Sequence, residues 1–275
     1  MRRAYPIVNG NVLEGFDLLR AEALIQGQLR VAARGANTVR TEFSFLSGIA
    51  PDKLGVHRYN PYRRLAGWSV PTMASYLKRL GYRTVCVHPY HGSFYRRDQV
   101  LPALGFDEFI DIQAFEDAHK VGAYVGDRAL GQYVSSLLRR DDPRPLFIHA
   151  ITMENHGPLH WEAVTDVDAR DVLNGPMPNG CEELVAYARH LRNADAMFSD
   201  LRKTLLDNGR PAGLCIFGDH IPIMPKVYRA LGAVNGLTEA VIWSGGGKAG
   251  EEKDMNISCL GADFLSRFEL LQSPS

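Results

Sequence analysis

The feature that most constrains the fold is a repeated succession of an amphipathic helix, a glycine and a short apolar strand. Residues 69–80 carry apolar side chains at helical spacing, Gly81 follows, and residues 82–88 form a strand-like run. Residues 146–152 form a second apolar strand. Doubly wound α/β domains repeat this unit, with helices on both faces of a sheet. The sequence therefore predicts one three-layer α/β/α domain with a mainly parallel sheet, spanning all 275 residues.

The remaining elements follow from hydrophobic periodicity and from the turn residues between the periodic segments. A loop rich in Pro, Gly, Arg and Tyr occupies residues 50–71, and a polar excursion occupies residues 160–180. Loops of this length are usually functional or ordered by packing. The other predicted helices are 11–24, 92–104, 128–140, 181–208 and 259–271, and the other predicted strands are 27–33, 107–112, 213–218 and 240–243.

The composition is that of an ordinary globular protein, with 45% hydrophobic and 23% charged residues. Lys plus Arg number 31 and Asp plus Glu also number 31, so no overall field favours nucleic acid or an anionic membrane. No 18-residue apolar stretch exists, and no apolar segment follows Arg2 and Arg3. We expect a soluble chain without a visible export signal or transmembrane segment. The widely spaced cysteines are expected to be free thiols; they are Cys86, Cys181, Cys215 and Cys259.

The stretch from Gly35 to Gly48 delivers two hydroxyls, Thr38 and Thr41, to the predicted start of a helix. Two interpretations are open. A threonine at this position can cap the unpaired N–H groups of the first helical turn. The same geometry suits a nucleophile that faces an anionic substrate. The local sequence alone favours the cap.

Three predicted strands end in loops that carry a histidine: His88, His156 and the pair Asp219–His220. In open α/β sheets the ligand crevice lies at the carboxyl ends of the strands, so these loops are expected to converge. A lone histidine at a strand end is most often structural. An adjacent carboxylate and imidazole, however, suit a divalent cation such as Mn²⁺ or Zn²⁺. The sequence thus indicates a candidate metal site.

The segment Phe94–Asp98 offers aromatic rings and two guanidinium groups close to His88 in the sequence. Arginine suits bidentate recognition of phosphate or sulfate, although a solvated helix face explains the segment equally simply.

The glycine-rich run 245–250 matches a nucleotide-binding pattern, but acidic residues follow it, so we interpret it as a turn. Nucleophile-elbow, Walker A and HExxH motifs are absent from the sequence.

Taken together, these motifs resemble the catalytic domain of the alkaline phosphatase/sulfatase superfamily. Within it, the chain is most similar to the lipoteichoic acid synthase and phosphoglycerol transferase branch, including relatives associated with capsule or surface glycans. The resemblance runs from about residue 11 to residue 245. The motifs that carry it are Asn37–Phe43, His88 with Ser93–Asp98, Leu104–Asp107, Tyr124–Asp127, Thr152–Pro158 and Gly218–His220.

The resemblance implies a metal-dependent phosphotransferase or phosphodiesterase with a threonine nucleophile. The nucleophile falls on Thr38, four residues before the Glu42–Phe43 pair, so Thr41 is a neighbour. It also implies one divalent ion, most simply Mn²⁺ with Zn²⁺ or Mg²⁺ as alternatives, and a phospholipid or glycan-linked phosphodiester as substrate. The implied metal ligands are Thr38, Asp219 and His220, the substrate-binding residues are His88, Tyr95, Arg97 and His156, and His156 also has a catalytic role.

The sequence departs from the family pattern at its start. The family's first strand, which ends in an acidic metal ligand, should precede the helix at residue 11, and residues 2–6 contain no carboxylate. Glu14 and Glu22 lie after that point and are not assigned the role. The fold is therefore expected to lack its first strand. If the start is truncated, the resemblance implies an extracytoplasmic location.

Two alternative functions stay open. A chain that lacks a metal ligand could be an inactive homologue that still binds anions or glycans. A sulfuric ester hydrolase is disfavoured, because sulfatases of this superfamily convert the Cys or Ser of a CxPxR-type motif, and no cysteine here begins that pattern.

Overall fold

A computed structural model describes residues 4–65, 70–247 and 250–271. Short 3₁₀ turns and loops connect the regular elements. The helices are α1 (Glu14–Ala21), α2 (Thr38–Ser47), α3 (Tyr62–Leu65), α4 (Met73–Arg79), α5 (Arg97–Ala103), α6 (Asp127–Leu138), α7 (Asp166–Val172), α8 (Glu182–Asp207), α9 (Pro225–Leu231) and α10 (Ile257–Arg267). The strands are β1 (Ile25–Arg30), β2 (Arg83–Val87), β3 (Glu108–Ile110), β4 (Lys120–Val121), β5 (Tyr124–Val125), β6 (Leu146–Ala150), β7 (Gly213–Phe217), β8 (Thr238–Ser244), β9 (Glu251–Glu252) and β10 (Met255–Asn256).

The strands form the middle layer between two layers of helices. Side chains that alternate along a strand point to opposite faces, so each strand contributes to two cores. On β8, Ile242 packs into a core shared with α2, α4 and α10, whereas Trp243 packs into a core shared with α1 and α8. The predicted three-layer α/β/α architecture is confirmed.

The strand order is β10–β1–β8–β7 in one sheet and β3–β2–β6 in the other. The pairs of β2 with β3 and β6 are parallel, as is the pair of β1 with β10. Strand β8 runs antiparallel to both of its neighbours, so the first sheet is mixed. The carboxyl ends of β1, β2, β6 and β7 all lead to loops that line one cavity.

The two sheets meet at an interruption. Strand β6 ends one sheet and β7 ends the other, and along their whole length both line the same cavity of about 1350 Å³. All five residues of β7 are only partly buried, although the strand lies deep in the molecule. The cavity therefore separates two strand edges in the middle of the fold, as expected for a sheet that lacks one strand.

Several local predictions are refined. Helix α4 begins at Met73, with Thr72 and Ser75 forming a reciprocal capping box. Ser69, where the sequence places the start of this helix, lies outside the described residues, as do Lys248 and Ala249 of the glycine-rich run. The polar excursion 160–180 contains α7. All four cysteines are free thiols, as predicted. Among the described residues, no helix is both long enough and apolar enough to cross a bilayer.

Candidate active site

The start of α2 fixes the position of Thr38. Asn37 precedes the helix with φ +66° and ψ +51°, a left-handed conformation that asparagine tolerates better than most residues. No side chain caps this helix start, which contradicts the cap that the local sequence favours. Thr38 is instead the first helical residue, and its hydroxyl points away from the helix toward the loop after β7. Because it does not cap the helix, the Thr38 hydroxyl is free to contact groups of the loop after β7.

Thr38, Asp219 and His220 form a compact trio. The Thr38 Oγ1 donates a hydrogen bond to Asp219 Oδ2 at 2.7 Å and lies 3.5 Å from His220 Nε2. The two side chains of the loop approach each other as well, with 3.3 Å between Asp219 Oδ2 and His220 Nε2. Thr38 and the adjacent pair Asp219–His220, 181 residues away, therefore present two oxygens and a nitrogen to one point.

The backbone around the trio fixes both loop residues. Thr41 is fully buried and donates its hydroxyl to the Asp219 carbonyl at 2.8 Å, so it positions the loop and does not enter the cavity. His220 Nδ1 is 2.9 Å from the Ile221 carbonyl. A carbonyl only accepts, so Nδ1 carries the proton and Nε2 presents its lone pair to Thr38 and Asp219. This second contact selects the imidazole tautomer that a metal ligand requires.

These donors fit a divalent cation as a partial coordination sphere. One carboxylate oxygen, one imidazole nitrogen with its tautomer fixed, and one hydroxyl oxygen are the ligand types such ions accept. Among the described residues, however, no group of three or more His, Cys, Asp and Glu side chains converges on a metal site. Glu22 is engaged elsewhere, with Arg202 at 2.6 Å and Trp243 at 2.9 Å, and Glu14 is exposed. Both stay outside the site, as the sequence indicated.

Arg97 lines the cavity, but most of its charge is already paired. It is 1% exposed, and its Nη2 contacts Glu42 Oε1 at 2.5 Å while Tyr62 donates to Glu42 Oε2 at 3.0 Å. Burial works against the charge on Glu42, yet Arg97 beside it holds the pKa of that carboxyl below its usual value. The Arg97 Nη1 is buried and has no partner among the described residues. The sequence identified Glu42 only as a register marker, so this pairing was missed.

His88 presents a lone pair to the cavity rather than a charge. Burial, with Arg97 nearby, lowers the pKa of His88 to about 4, so its imidazole is neutral at physiological pH. Its Nδ1 lies 3.2 Å from the Ile151 carbonyl and therefore carries the proton. The buried Nε2 has no partner among the described residues. His88 can accordingly accept a hydrogen bond from a hydroxyl inside the cavity.

The other two predicted substrate-binding residues, Tyr95 and His156, both line the cavity. Tyr95 has φ +57°, and its hydroxyl contacts Asn37 Oδ1 at 3.3 Å, beside Thr38. His156 is exposed, and its Nδ1 lies 2.7 Å from the Gly157 carbonyl and 3.2 Å from the Tyr124 hydroxyl. The Nδ1 proton is thus held by the carbonyl, which leaves His156 Nε2 able to accept a proton.

Sequence reasoning also missed a buried carboxyl at the edge of the cavity. Asp127 begins α6 and is 1% exposed, and neither of its carboxyl oxygens has a partner among the described residues. Burial, and secondly the charge of Glu154, raises the pKa of Asp127 to about 8. The motif Tyr124–Asp127 contained this residue. The sequence alone, however, does not show whether the Asp127 carboxyl caps a helix or is buried without a hydrogen-bond partner.

Comparisons with known proteins agree with the fold and the motifs. The Sulfatase family matches residues 1–267. The capsular polysaccharide biosynthesis protein RkpI of Rhizobium meliloti is 32% identical over 210 residues, covering 76% of this chain and 37% of that protein. A putative cyclic beta-1,2-glucan modification protein of the same organism is 28% identical over 251 residues, covering 84% and 38%. The chain therefore spans less than two fifths of the length of these relatives.

Solved structures show the same fold. The Streptococcus pyogenes phosphoglycerol transferase GacH, in complex with sn-glycerol-1-phosphate, has a TM-score of 0.75 and 20% identity, covering 96% of this chain and 70% of that one. The Listeria monocytogenes lipoteichoic acid synthase LtaP has a TM-score of 0.77 and 20% identity, covering 97% and 69%. The chain belongs to the Sulfatase family, and its fold is similar to that of the lipoteichoic acid synthase LtaP.

Proposed function

We propose that this protein is a metal-dependent phosphotransferase or phosphodiesterase in which Thr38 is the nucleophile. The observation that carries the proposal is the 2.7 Å hydrogen bond from Thr38 Oγ1 to Asp219 Oδ2, with His220 Nε2 at 3.5 Å. A hydroxyl that is held by a carboxylate and an unprotonated imidazole nitrogen, at the start of a helix, is well placed to attack an anionic ester.

Asp219, His220 and Thr38 would hold the divalent ion. Mn²⁺ suits this mixed oxygen and nitrogen set, with Zn²⁺ or Mg²⁺ as alternatives. When bound, such an ion lowers the pKa of the hydroxyl and offsets the charge of the phosphodiester.

The proposed reaction has two displacements at phosphorus. In the first, Thr38 Oγ1 forms a bond to phosphorus and its proton passes along the hydrogen bond to Asp219. The bond to the alcohol leaving group breaks, and the departing oxygen takes a proton from His156, which regains it from the acceptor in the second displacement. In the second, the hydroxyl of an acceptor attacks phosphorus, and Thr38 Oγ1 leaves and regains a proton. His156 Nε2 accepts the proton of the acceptor hydroxyl, because its Nδ1 is already occupied by the Gly157 carbonyl. With water as acceptor the same steps give hydrolysis.

The head group of the donor would be recognised by His88, Arg97 and Tyr95. Neutral His88 accepts a hydrogen bond from a head-group hydroxyl, since its buried Nε2 carries no proton. Arg97 Nη1 and the Tyr95 hydroxyl supply donors for phosphate oxygens. A site with one acceptor for a hydroxyl and donors for phosphate oxygens fits phosphoglycerol or a similar polyol phosphate better than inorganic phosphate.

The names of the relatives suggest where such a reaction belongs. RkpI is a capsular polysaccharide biosynthesis protein, another relative is a putative cyclic beta-1,2-glucan modification protein, and GacH is a phosphoglycerol transferase. We infer that this protein transfers phosphoglycerol or a similar group to a cell-surface or capsular glycan, with a phospholipid or glycan-linked phosphodiester as donor. Its place of action would be the extracytoplasmic side of the membrane.

One observation favours a second candidate. The trio contains only one carboxylate and one imidazole, and among the described residues no third such side chain joins them. An inactive homologue that binds anions or glycans would need no complete metal site. Sulfate ester hydrolysis has less support. Cys86 and Cys181 are buried, and no cysteine begins the CxPxR-type motif that sulfatases convert.

Substitution of Thr38 separates these functions. We expect Thr38→Ala to lower turnover of a phosphodiester reporter at least about a thousandfold, as for other nucleophile deletions, while Thr38→Ser keeps measurable activity. Mn²⁺ should raise the melting temperature of the wild type, and it should do so much less in Asp219→Asn. Undiminished turnover by Thr38→Ala would refute the nucleophile assignment. Absence of both turnover and a Mn²⁺ effect in the wild type would favour the inactive homologue.

A further inference from the structure

A second, smaller cleft adjoins the active site on the side of His156. It has a volume of about 460 Å³, within the range of small-ligand sites, roughly 300–1,000 Å³. We call it the Trp161 cleft. Its lining residues are Gly122, Ala123, Tyr124, His156, Pro158, Trp161, Glu162, Ala163 and Arg189.

The most unusual member of this lining is Trp161. Its side chain is 78% exposed, although large aromatic side chains normally bury most of their surface. Its neighbour Leu159, in the same 3₁₀ turn, is 4% exposed and anchors the turn to the core. The anchored turn thus holds an indole ring in solvent beside the active site.

The polar wall of the cleft is rigid and carries little net charge. Glu162 Oε2 accepts hydrogen bonds from Arg189 Nη2 and His190 Nε2, each at 2.9 Å. Arg189 also contacts Asp168 at 3.0 Å. These pairings fix the carboxylate and balance its charge, so the cleft attracts neither an anion nor a cation strongly. Its remaining polar contacts are hydrogen-bonding groups such as the Tyr124 hydroxyl.

The tip of the β4–β5 hairpin also lines the cleft, and it lies close to Glu162. Gly122 has φ +60°, and a Cβ atom at this position would lie 2.8 Å from Glu162 Oε1. Only a glycine allows the hairpin to approach this closely. The hairpin backbone and the Glu162 carboxylate are therefore in contact, and together they close the cleft at this point.

The cleft and the Thr38 cavity share His156 and Pro158 as lining residues. A molecule held in the cleft therefore reaches the main cavity at His156, whose Nε2 can accept the proton of an acceptor hydroxyl. An exposed indole, fixed hydrogen-bonding groups and low net charge together match a neutral sugar ring, which has an apolar face and a rim of hydroxyls.

We propose that the Trp161 cleft binds a neutral sugar residue of the acceptor glycan and directs one hydroxyl toward His156. This inference rests on the proposed transferase function for the direction of the hydroxyl, but the binding itself does not depend on catalysis. The indole provides the stacking surface, and Tyr124 and Glu162 provide polar contacts at the rim.

Binding can be measured without turnover, by titrating the protein with a neutral β-1,2-linked glucan oligosaccharide and following tryptophan fluorescence and calorimetric heat. We expect saturable binding to the wild type, to Thr38→Ala and to Trp161→Phe. Trp161→Ala should bind about five- to tenfold more weakly, the loss typical of one aromatic contact. Tyr59→Ala, which removes another exposed aromatic residue, is the matched control and should bind like the wild type.

The same variants give a kinetic readout. If the protein transfers to glucan, Trp161→Ala should raise KM for the glucan and leave reporter hydrolysis by water unchanged. Equal glucan affinity of the wild type and Trp161→Ala would overturn the inference, as would the absence of any glucan binding by the wild type. So would quenching of Trp161 fluorescence by phosphatidylcholine vesicles but not by glucan, which would assign the indole to a lipid surface. None of these results depends on whether Thr38 is the nucleophile.

Discussion

At the scale of single residues, the site is governed by which nitrogen or oxygen of each side chain is already engaged. Backbone carbonyls occupy Nδ1 of His88, His156 and His220, so all three present Nε2 toward the cavity. Burial lowers the pKa of His88 to about 4, so this imidazole is an acceptor at neutral pH. In the proposed mechanism, charge on the substrate would be met mainly by the divalent ion and by Arg97 Nη1.

Asp127 gives a prediction at this scale. Its pKa in the folded protein is about 8, against a usual value of about 3.9 in an unfolded chain. The folded state therefore holds a proton that the unfolded state releases, and this contribution to stability is present at low pH and lost as the pH rises through 8. Asp127→Asn should remove the loss and make the protein more stable than the wild type at pH 9, by roughly 1–3 kcal/mol.

Chemical denaturation at pH 5 and pH 9 measures this effect. The free energy of unfolding of the wild type should fall between the two values more than that of Asp127→Asn. The exposed Asp117→Asn serves as control and should follow the wild type. If the free energy of unfolding fell more between pH 5 and pH 9 in Asp127→Asn than in the wild type, the prediction would be wrong. The Asp127 carboxyl would then be ionised and paired in the folded protein.

At the scale of elements, the buried pair of Glu42 and Arg97 ties α2 to α5 and so fixes the start of α2, where Thr38 lies. Both side chains are almost fully buried, and Tyr62 adds a third contact. Removal of one partner from a buried ion pair leaves an uncompensated charge. We expect Glu42→Gln to lower the free energy of unfolding by about 3–5 kcal/mol.

The comparison with an exposed pair isolates the effect of burial. Asp52→Asn breaks the pair between Lys53 and Asp52, whose side chains are 75% and 72% exposed, and it should cost no more than about 1 kcal/mol. The double variant Glu42→Gln with Arg97→Met should recover part of the loss. Equal stability of Glu42→Gln and Asp52→Asn in urea unfolding would contradict the role assigned to the buried pair.

The interruption between β6 and β7 gives a second prediction for elements. Backbone N–H groups alternate along a strand, so Ile148 and Ala150 of β6 and Cys215 and Phe217 of β7 direct theirs toward the cavity. We propose that the cavity accommodates one further strand between these edges. Without such a strand, these four amides should exchange with solvent faster than those of their neighbours, which pair with β2 and β8.

Hydrogen exchange followed by NMR tests this prediction. A strand that joins both edges should slow exchange at all four amides together, since it would pair with β6 on one side and β7 on the other. Uniformly slow exchange of these amides in the present chain would contradict an open interruption.

Most of the elements could be predicted from the sequence, because helical and strand periodicities dominate where side chains are half buried. The orientation of β8 could not, since an antiparallel strand inside a mostly parallel sheet has the same apolar pattern. The role of Asn37 was also hidden: its left-handed conformation, rather than a side-chain cap, begins α2 and frees the Thr38 hydroxyl. The resemblance supplied the site residues, whereas the pairing of Arg97 with Glu42 required three-dimensional contacts.

At the scale of the whole molecule, four loops at the carboxyl ends of β1, β2, β6 and β7 converge on one cavity. Thr38 and Asp219 come from opposite ends of the chain, 181 residues apart, yet lie within one hydrogen bond. His88 and His156 line the same cavity. The proposed two-step transfer, in which Thr38 meets two different alcohols in turn, would take place in this cavity.

The most direct test of this account is the position of the covalent intermediate. The protein is mixed with Mn²⁺ and a phosphoglycerol diester, quenched with acid, digested and analysed by mass spectrometry. We predict a phosphoglycerol ester on Thr38 in the wild type and no such adduct in Thr38→Ala, whose turnover is lost. An adduct on another residue, or full turnover by Thr38→Ala without an adduct at residue 38, would contradict it.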